Sequence, residues 1–143
     1  MEEIRDAASA TLVAAIPGLF GYPEISSVVN LPAVVVVPRG GTYEAGMGPG
    51  VDDLYLFDLD VLCSAADDVL AQNKLDAFLT GAGPRSIRQA VYASRDQRRD
   101  AFGLLNCKAR VTGWSGYRRG FEGAGVEHVG ASVGLEVITS AMV

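Results

Sequence analysis

Ile4, Ala8, Leu12, Ala15 and Ile16 recur at helical spacing and Pro17-Gly18 stops the run, so the chain opens with an amphipathic helix carrying one apolar stripe. Leu19 to Asn30 is mixed in character and reads as loop. Pro32-Ala33-Val34-Val35-Val36-Val37-Pro38 is a valine run bracketed by prolines. Proline cannot donate to a ladder, so the two prolines read as strand ends, and an unbroken apolar run predicts a strand covered on both faces. Gly40-Gly41 opens a second strand, Thr42 to Met47, and Gly48-Pro49-Gly50 turns the chain into a longer one, Leu54 to Cys63. In that strand Tyr55, Phe57, Leu59, Val61 and Cys63 share one face, while Asp58 and Asp60 lie on the other with Leu54, Leu56 and Leu62. The pattern predicts helices over the first face and a neighbouring subunit over part of the second.

Asp67-Asp68 stands where a helix would begin, at the positive end of its dipole. Ala71, Leu75, Phe78 and Leu79 form its inner stripe and Gly81 is its expected C-cap. Pro84 begins a short helix, Ser86 to Ala93, with Ile87 and Val91 inward, and the polar segment Ser94 to Asp100 reads as loop or frayed end. Leu105, Cys107, Ala109 and Val111 then alternate with Asn106, Lys108, Arg110 and Thr112. Gly113 and Gly116 bracket Trp114, Tyr117 to Phe121 continues a ribbon, and Gly123-Ala124-Gly125 signals a hairpin turn. Val133, Leu135 and Val137 alternate with Ser132, Gly134 and Glu136 in a final strand. The order α-β-β-β-α-α-β-β-β predicts an α+β fold: an antiparallel or mixed sheet with two to three helices packed on it.

A chain of 143 residues is expected to form a single domain with one core. The 17 glycines favour many tight turns over a helical bundle. The net charge is −5, and the basic residues gather only around Arg95, Arg98 and Arg99, interrupted by Asp96 and Asp100. A dedicated DNA reader needs a sustained positive surface and is disfavoured, whereas an acidic wall would let DNA slide past without sticking. Cys63 and Cys107 fall in apolar strand patterns, 44 positions apart with no zinc spacing, and are expected to be buried reduced thiols. The start Met1-Glu2-Glu3 is acidic where a signal peptide is basic, and the uncharged run Ala7 to Pro23 is short and broken by Pro17 and Gly18. The expectation is a soluble protein, with no membrane segment, made and used in a cytoplasm.

Candidate chemistry is sparse. His128 is the single histidine, so a metal site would rest on carboxylates and the two cysteines, and no ligand spacing supports one. A Ser-His-Asp triad would have to use His128, beside Glu127 in a strand. Asp58 and Asp60 project together from one strand face, which suits acid–base work or a cation but is commoner as a solvated face. Gly46-Met47-Gly48-Pro49-Gly50 and Gly81-Ala82-Gly83-Pro84 lack both the Lys-Ser/Thr ending of a P-loop and the strand–GxGxxG–helix order of a dinucleotide fold. No catalytic, cofactor or metal residues are therefore expected. Arg118-Arg119 between Tyr117 and Phe121 combines arginine with aromatics, as protein contacts do.

The order of parts resembles the tail terminator, or tail-end joining, proteins of long-tailed bacteriophages, particularly those of actinobacterial hosts. A strand ends in Val37-Pro38, and a Tyr43-Glu44 strand enters a glycine hairpin closing at Gly50. A long apolar strand follows, then an acidic helix start at Asp67-Asp68 and a Leu75-Asp76 pair. Gly83-Pro84-Arg85-Ser86-Ile87 opens a short helix and is the sharpest match; Gly130 to Val137 closes with a Leu-Glu-Val strand. The resemblance implies a ring of six copies on the last ring of the tail tube, which stops tube growth and joins the tail to the head connector or stopper. Genomic DNA would pass through its lumen without specific binding. Tyr43, Met47, Trp114, Tyr117, Arg118, Arg119 and Phe121 are the expected contact residues. Another neck or tail-completion protein, or a small α+β enzyme or ligand-binding module using Asp58, Asp60 and His128, are the alternatives.

Overall fold

The computed structural model of the chain describes residues 2–22, 30–43, 52–64, 68–119 and 128–140. Its elements run α1 (Glu2–Ala15), β1 (Phe20–Tyr22), β2 (Ala33–Thr42), β3 (Asp52–Ser64), α2 (Asp68–Leu79), α3 (Ile87–Ala93), β4 (Cys107–Arg119) and β5 (His128–Ser140). The strands form one mixed sheet in the order β1-β2-β3-β5-β4, with β1 parallel to β2 and the other neighbours antiparallel. This is the α+β architecture the pattern predicts, with three helices. Asp67, Met47 with the rest of the hairpin Glu44 to Gly50, Phe121 and Gly123-Ala124-Gly125 lie outside the described residues.

The three helices pack on one face. Ile4, Ala8 and Leu12 of α1, Leu75 and Phe78 of α2, and Ile87 and Val91 of α3 join Phe57, Leu59, Val61 and Cys63 of β3 in one buried cluster. Every second residue of β5 from Val129 to Val137 completes it. The opposite face carries a smaller cluster, Ala33, Val35 and Leu62, against which Tyr22, Leu31 and Val37 pack. The valine strand is thus covered on both faces: Val34 and Val36 meet the helices, Ala33 and Val35 the smaller cluster.

Several boundaries differ from the expectation. Phe20–Tyr22 is a strand inside the segment that reads as loop; three residues are too few to show a period, and pairing with Ala33–Val35 is what makes them a strand. Pro38 does not end its strand. β2 continues to Thr42 across a register shift between Pro38 and Gly40, so the residues divided into two strands at Gly40 form one. A bulge is where a proline can sit within a sheet, because its missing N–H falls where the ladder is already interrupted. Ala15 is exposed, and Ile16 alone closes the α1 stripe. Leu105 is exposed too: Asn106 adopts φ 56° and turns the chain, so β4 starts only at Cys107. The last third therefore holds two described strands, one of them a single long β4.

The connection between α2 and α3 also departs from the pattern. Gly83, not Gly81, takes the positive φ (122°). Ser86 is the N-cap of α3: its Oγ accepts from the Gln89 N–H at 3.1 Å and donates to the Thr80 carbonyl, which ties the end of α2 to the start of α3. The string Gly83 to Ile87 is accounted for by a left-handed turn, a cap and a core anchor.

Candidate functional site

Exposed aromatic side chains stand at the two flanks of the sheet, Tyr43 at one and Trp114 with Tyr117 at the other, and bulges in β4 place the second group. Up to Val111, the odd residues of β4 face the helices, with Val111 opposite Leu135. The register then shifts, so that Gly113 pairs with Gly134 and Trp114 with Val133. Without that extra residue Trp114 would point to the helix-free face; the shift returns it to the helix side. A second irregularity between Ser115 and Arg118, with Gly116 at φ 68°, brings Tyr117 to the same side. The two rings meet edge to face, centroids 6.2 Å apart at 62°.

These aromatics stand at the rim of the helix layer and not in its core. Trp114 is 55% exposed and Tyr117 37%. Trp114 borders an open groove of about 290 Å³ whose floor includes Phe78, Ile87 and Val133 and whose wall includes Arg88. Partial burial of the Tyr117 phenol, and then its hydrogen bond to the Asp76 carboxylate on α2, raise its pKa above the ordinary value. A neutral phenol donating to a carboxylate fixes the ribbon against α2.

The loop leading into β4 is stitched down. The Asp96 carboxylate accepts from the Arg98 and Asp100 N–H groups at 2.8 and 2.9 Å. Arg95 lies over the Tyr92 ring, 4.2 Å from its centroid, and donates to the Ala109 carbonyl. Ala101 N–H bonds the Cys107 carbonyl at 2.7 Å. The segment Ser94 to Asp100 is a loop, one of the two forms its sequence allows, and its bonds lay it over the first part of the β4 edge. Arg118 and Arg119 continue that edge, paired in register with Gly130 and Val129.

At the opposite flank β1 covers the β2 edge only as far as Val35. Beyond it, Tyr43 is 78% exposed and, with Pro38, Arg39 and Tyr55, lines a second open groove of about 300 Å³. Thr42 pairs with Leu54, so this end of β2 lies beside the start of β3.

Asp58 and Asp60, two apart on one face of β3, do not share a partner: Arg39 Nη1 lies 3.5 Å from Asp58, and Ser132 Oγ donates to Asp60 at 2.6 Å. Arg110 Nη2 and Glu136 Oε2, 2.7 Å apart, extend the same polar face onto β4. The ladder sets His128 opposite Ser64, four positions along β5 from Ser132, or about 13 Å of strand. Among the described residues no three metal-ligating side chains come together. None of the described helices is long and apolar enough to cross a membrane.

Three features of these flanks escape a reading of the sequence: the grooves, the Tyr117–Asp76 bond and the bulge that turns Trp114. The glycines at 113 and 116 are the only local signal of the last. Compared with known proteins, the chain matches no family model and no curated sequence.

Proposed function

We propose that the chain is a structural subunit of a bacteriophage neck, forming a ring at the head-proximal end of the tail tube. The ring would stop tube polymerisation and join the tail to the head connector or stopper, the genome passing through its lumen without specific contacts. Six copies is the number the sequence resemblance implies. The observation that carries the reading is the pair of unlike exposed aromatic surfaces at opposite flanks of one sheet, Tyr43 beside Tyr55 and Trp114 beside Tyr117. A closed ring requires each copy to present two different patches that fit one another. Exposed aromatics beside arginine are the residue types that carry contact energy.

The partners under this reading are further copies of the chain, the tail tube protein below and a connector protein above. Assembly would take place in the host cytoplasm and the product would sit at the head–tail junction of the virion. A catalytic role for Asp58, Asp60 and His128 gains no comparable support, because the first two are engaged across the ladder and the third is displaced along it.

Light scattering on the purified chain together with immunogold electron microscopy of virions tests the proposal. A particle of several copies and label at the head–tail junction are expected. A strict monomer, or label elsewhere on the virion, overturns it.

A further inference from the structure

The basic residues of this acidic chain are concentrated in one stretch. From Arg85 to Lys108 there are six against Asp96 and Asp100, whereas the rest of the chain holds six against fifteen carboxylates. The stretch runs along α3 and the loop that follows it. In sequence the two aspartates interrupt it; in the fold they are drawn away from its arginines. Asp100 is 2% exposed and held by Lys108, so those two charges offset each other. Asp96 turns its Oδ1 to the backbone N–H groups of Arg98 and Asp100. Arg85, Arg88, Arg98 and Arg99 are exposed, and among the described residues none of the four lies within ion-pairing distance of a carboxylate.

The fold also aligns these side chains. Arg88 and Arg95 both lie against the Tyr92 ring, 5.2 and 4.2 Å from its centroid, which sets them on one side of α3. Arg95 donates to the Ala109 carbonyl and so ties the ridge to β4. Arg98 and Arg99 belong to a turn closed by the Arg99 N–H on the Asp96 carbonyl at 2.9 Å and the Asp96 N–H on the Asp100 carbonyl at 3.0 Å. At helical rise, Arg85 to Arg95 covers about 15 Å, about the length of four phosphates along one strand of duplex DNA.

We infer that this arginine ridge binds the sugar-phosphate backbone of nucleic acid without regard to base sequence. Guanidinium groups meet phosphate oxygens through paired N–H donors and stay charged at any working pH. A protein contact needs an apolar centre inside its charged rim, and no large apolar side chain is exposed between Arg85 and Arg99. A surface of charge alone is what a phosphate backbone requires. The net charge of −5 does not oppose it, because carboxylates more than about 8 Å away are largely screened at physiological salt. The inference does not depend on the ring reading, since a single copy carries the whole ridge.

Fluorescence anisotropy of a labelled random-sequence DNA duplex of about 12 base pairs, titrated with the full-length chain, tests this. Four phosphate contacts predict that log affinity falls against log salt with a slope of about −3.6, a weakening of about a hundredfold from about 0.05 M to about 0.2 M NaCl. Arg85→Gln/Arg88→Gln and Arg98→Gln/Arg99→Gln should each weaken binding equally on unrelated sequences and flatten that slope by about 2. Arg98→Lys/Arg99→Lys should keep the slope. Because the lysine and glutamine pairs replace the same exposed side chains, a difference between them reports charge and not fold. Arg110→Gln, which removes an arginine already paired with Glu136, should bind as the wild type does. No binding at about 0.05 M NaCl and about 100 μM protein, or glutamine variants that bind as the wild type does, overturns the inference and leaves the ring reading standing. Binding to phosphatidylserine vesicles or to polyglutamate in place of the duplex assigns the ridge to a membrane or an acidic protein and overturns it equally. A monomer that binds the duplex with the expected slope overturns the ring reading alone.

Discussion

Lys108 on β4 reaches back to Asp100 at the end of the preceding loop, its Nζ 2.6 Å from the carboxylate Oδ1. Asp100 is only 2% exposed, and Lys108 also donates to the Arg98 carbonyl, so one ammonium closes the loop that covers the β4 edge. The hydrogen bond from Lys108 is the largest of the influences that hold the Asp100 carboxyl below its ordinary value of 3.8; a backbone bond from Asn106 adds to it.

A carboxyl with a depressed folded pKa binds fewer protons in the native than in the unfolded state. The stability it contributes is complete above the ordinary aspartate value and is lost as pH falls towards the lower folded value. Urea midpoints of the wild type should therefore drop more steeply between about pH 5 and pH 3 than those of Asp100→Asn. Parallel midpoint–pH curves for the two proteins would show that this pair does not couple the loop to folding.

The single hydroxyl of Ser86 serves two elements, as cap of α3 and as donor to the last turn of α2. Ser86→Ala removes both bonds from a fully buried site and should cost about 1–2 kcal/mol. Equilibrium denaturation measures it, and a loss below about 0.3 kcal/mol would mean that the turn holds without the cap.

Trp114 and Phe57 are both large aromatics, but their environments separate assembly from folding. Phe57 is fully buried, and Phe57→Ala should cost about 3–5 kcal/mol of monomer stability. Trp114→Ala should leave monomer stability within about 1 kcal/mol yet weaken self-association by about 2 kcal/mol or more. Arg118→Ser/Arg119→Ser, further along the same ribbon, should stay folded and fail to join tails to heads. Denaturation curves beside particle-size measurements and an infectivity assay decide the matter. A folded double variant that still yields joined, infectious particles would remove Arg118 and Arg119 from the contact.

Cys63 and Cys107 are free and buried, and burial pushes each thiol pKa up to about 11. Their ladder positions, opposite Val129 and Thr139, lie ten apart along β5, about 33 Å, far beyond disulfide reach. A thiol reagent at pH 8 should therefore label the native protein slowly and both cysteines at once on unfolding. Rapid stoichiometric labelling under native conditions would contradict this burial.

The alternation of β3 and β5, the two-sided valine strand and the stripes of α1, α2 and α3 were legible because periods of two and of 3.6 are properties of consecutive residues. So was the α+β class, and so was the location of Cys63 and Cys107 in the core. What the tertiary structure decided depends on partners distant in the chain. Phe20–Tyr22 is a strand because Ala33–Val35 pairs with it, and Pro38 stays inside its strand because a bulge against Phe57 and Leu56 absorbs it. Leu105 leaves the alternation because Asn106 turns the backbone, and Asp100 is buried because Lys108 from β4 meets it. Trp114 changes face for the same kind of reason: one extra residue before it reverses the side on which every following side chain lies, and the opposing strand, not the local sequence, decides where that residue is accommodated.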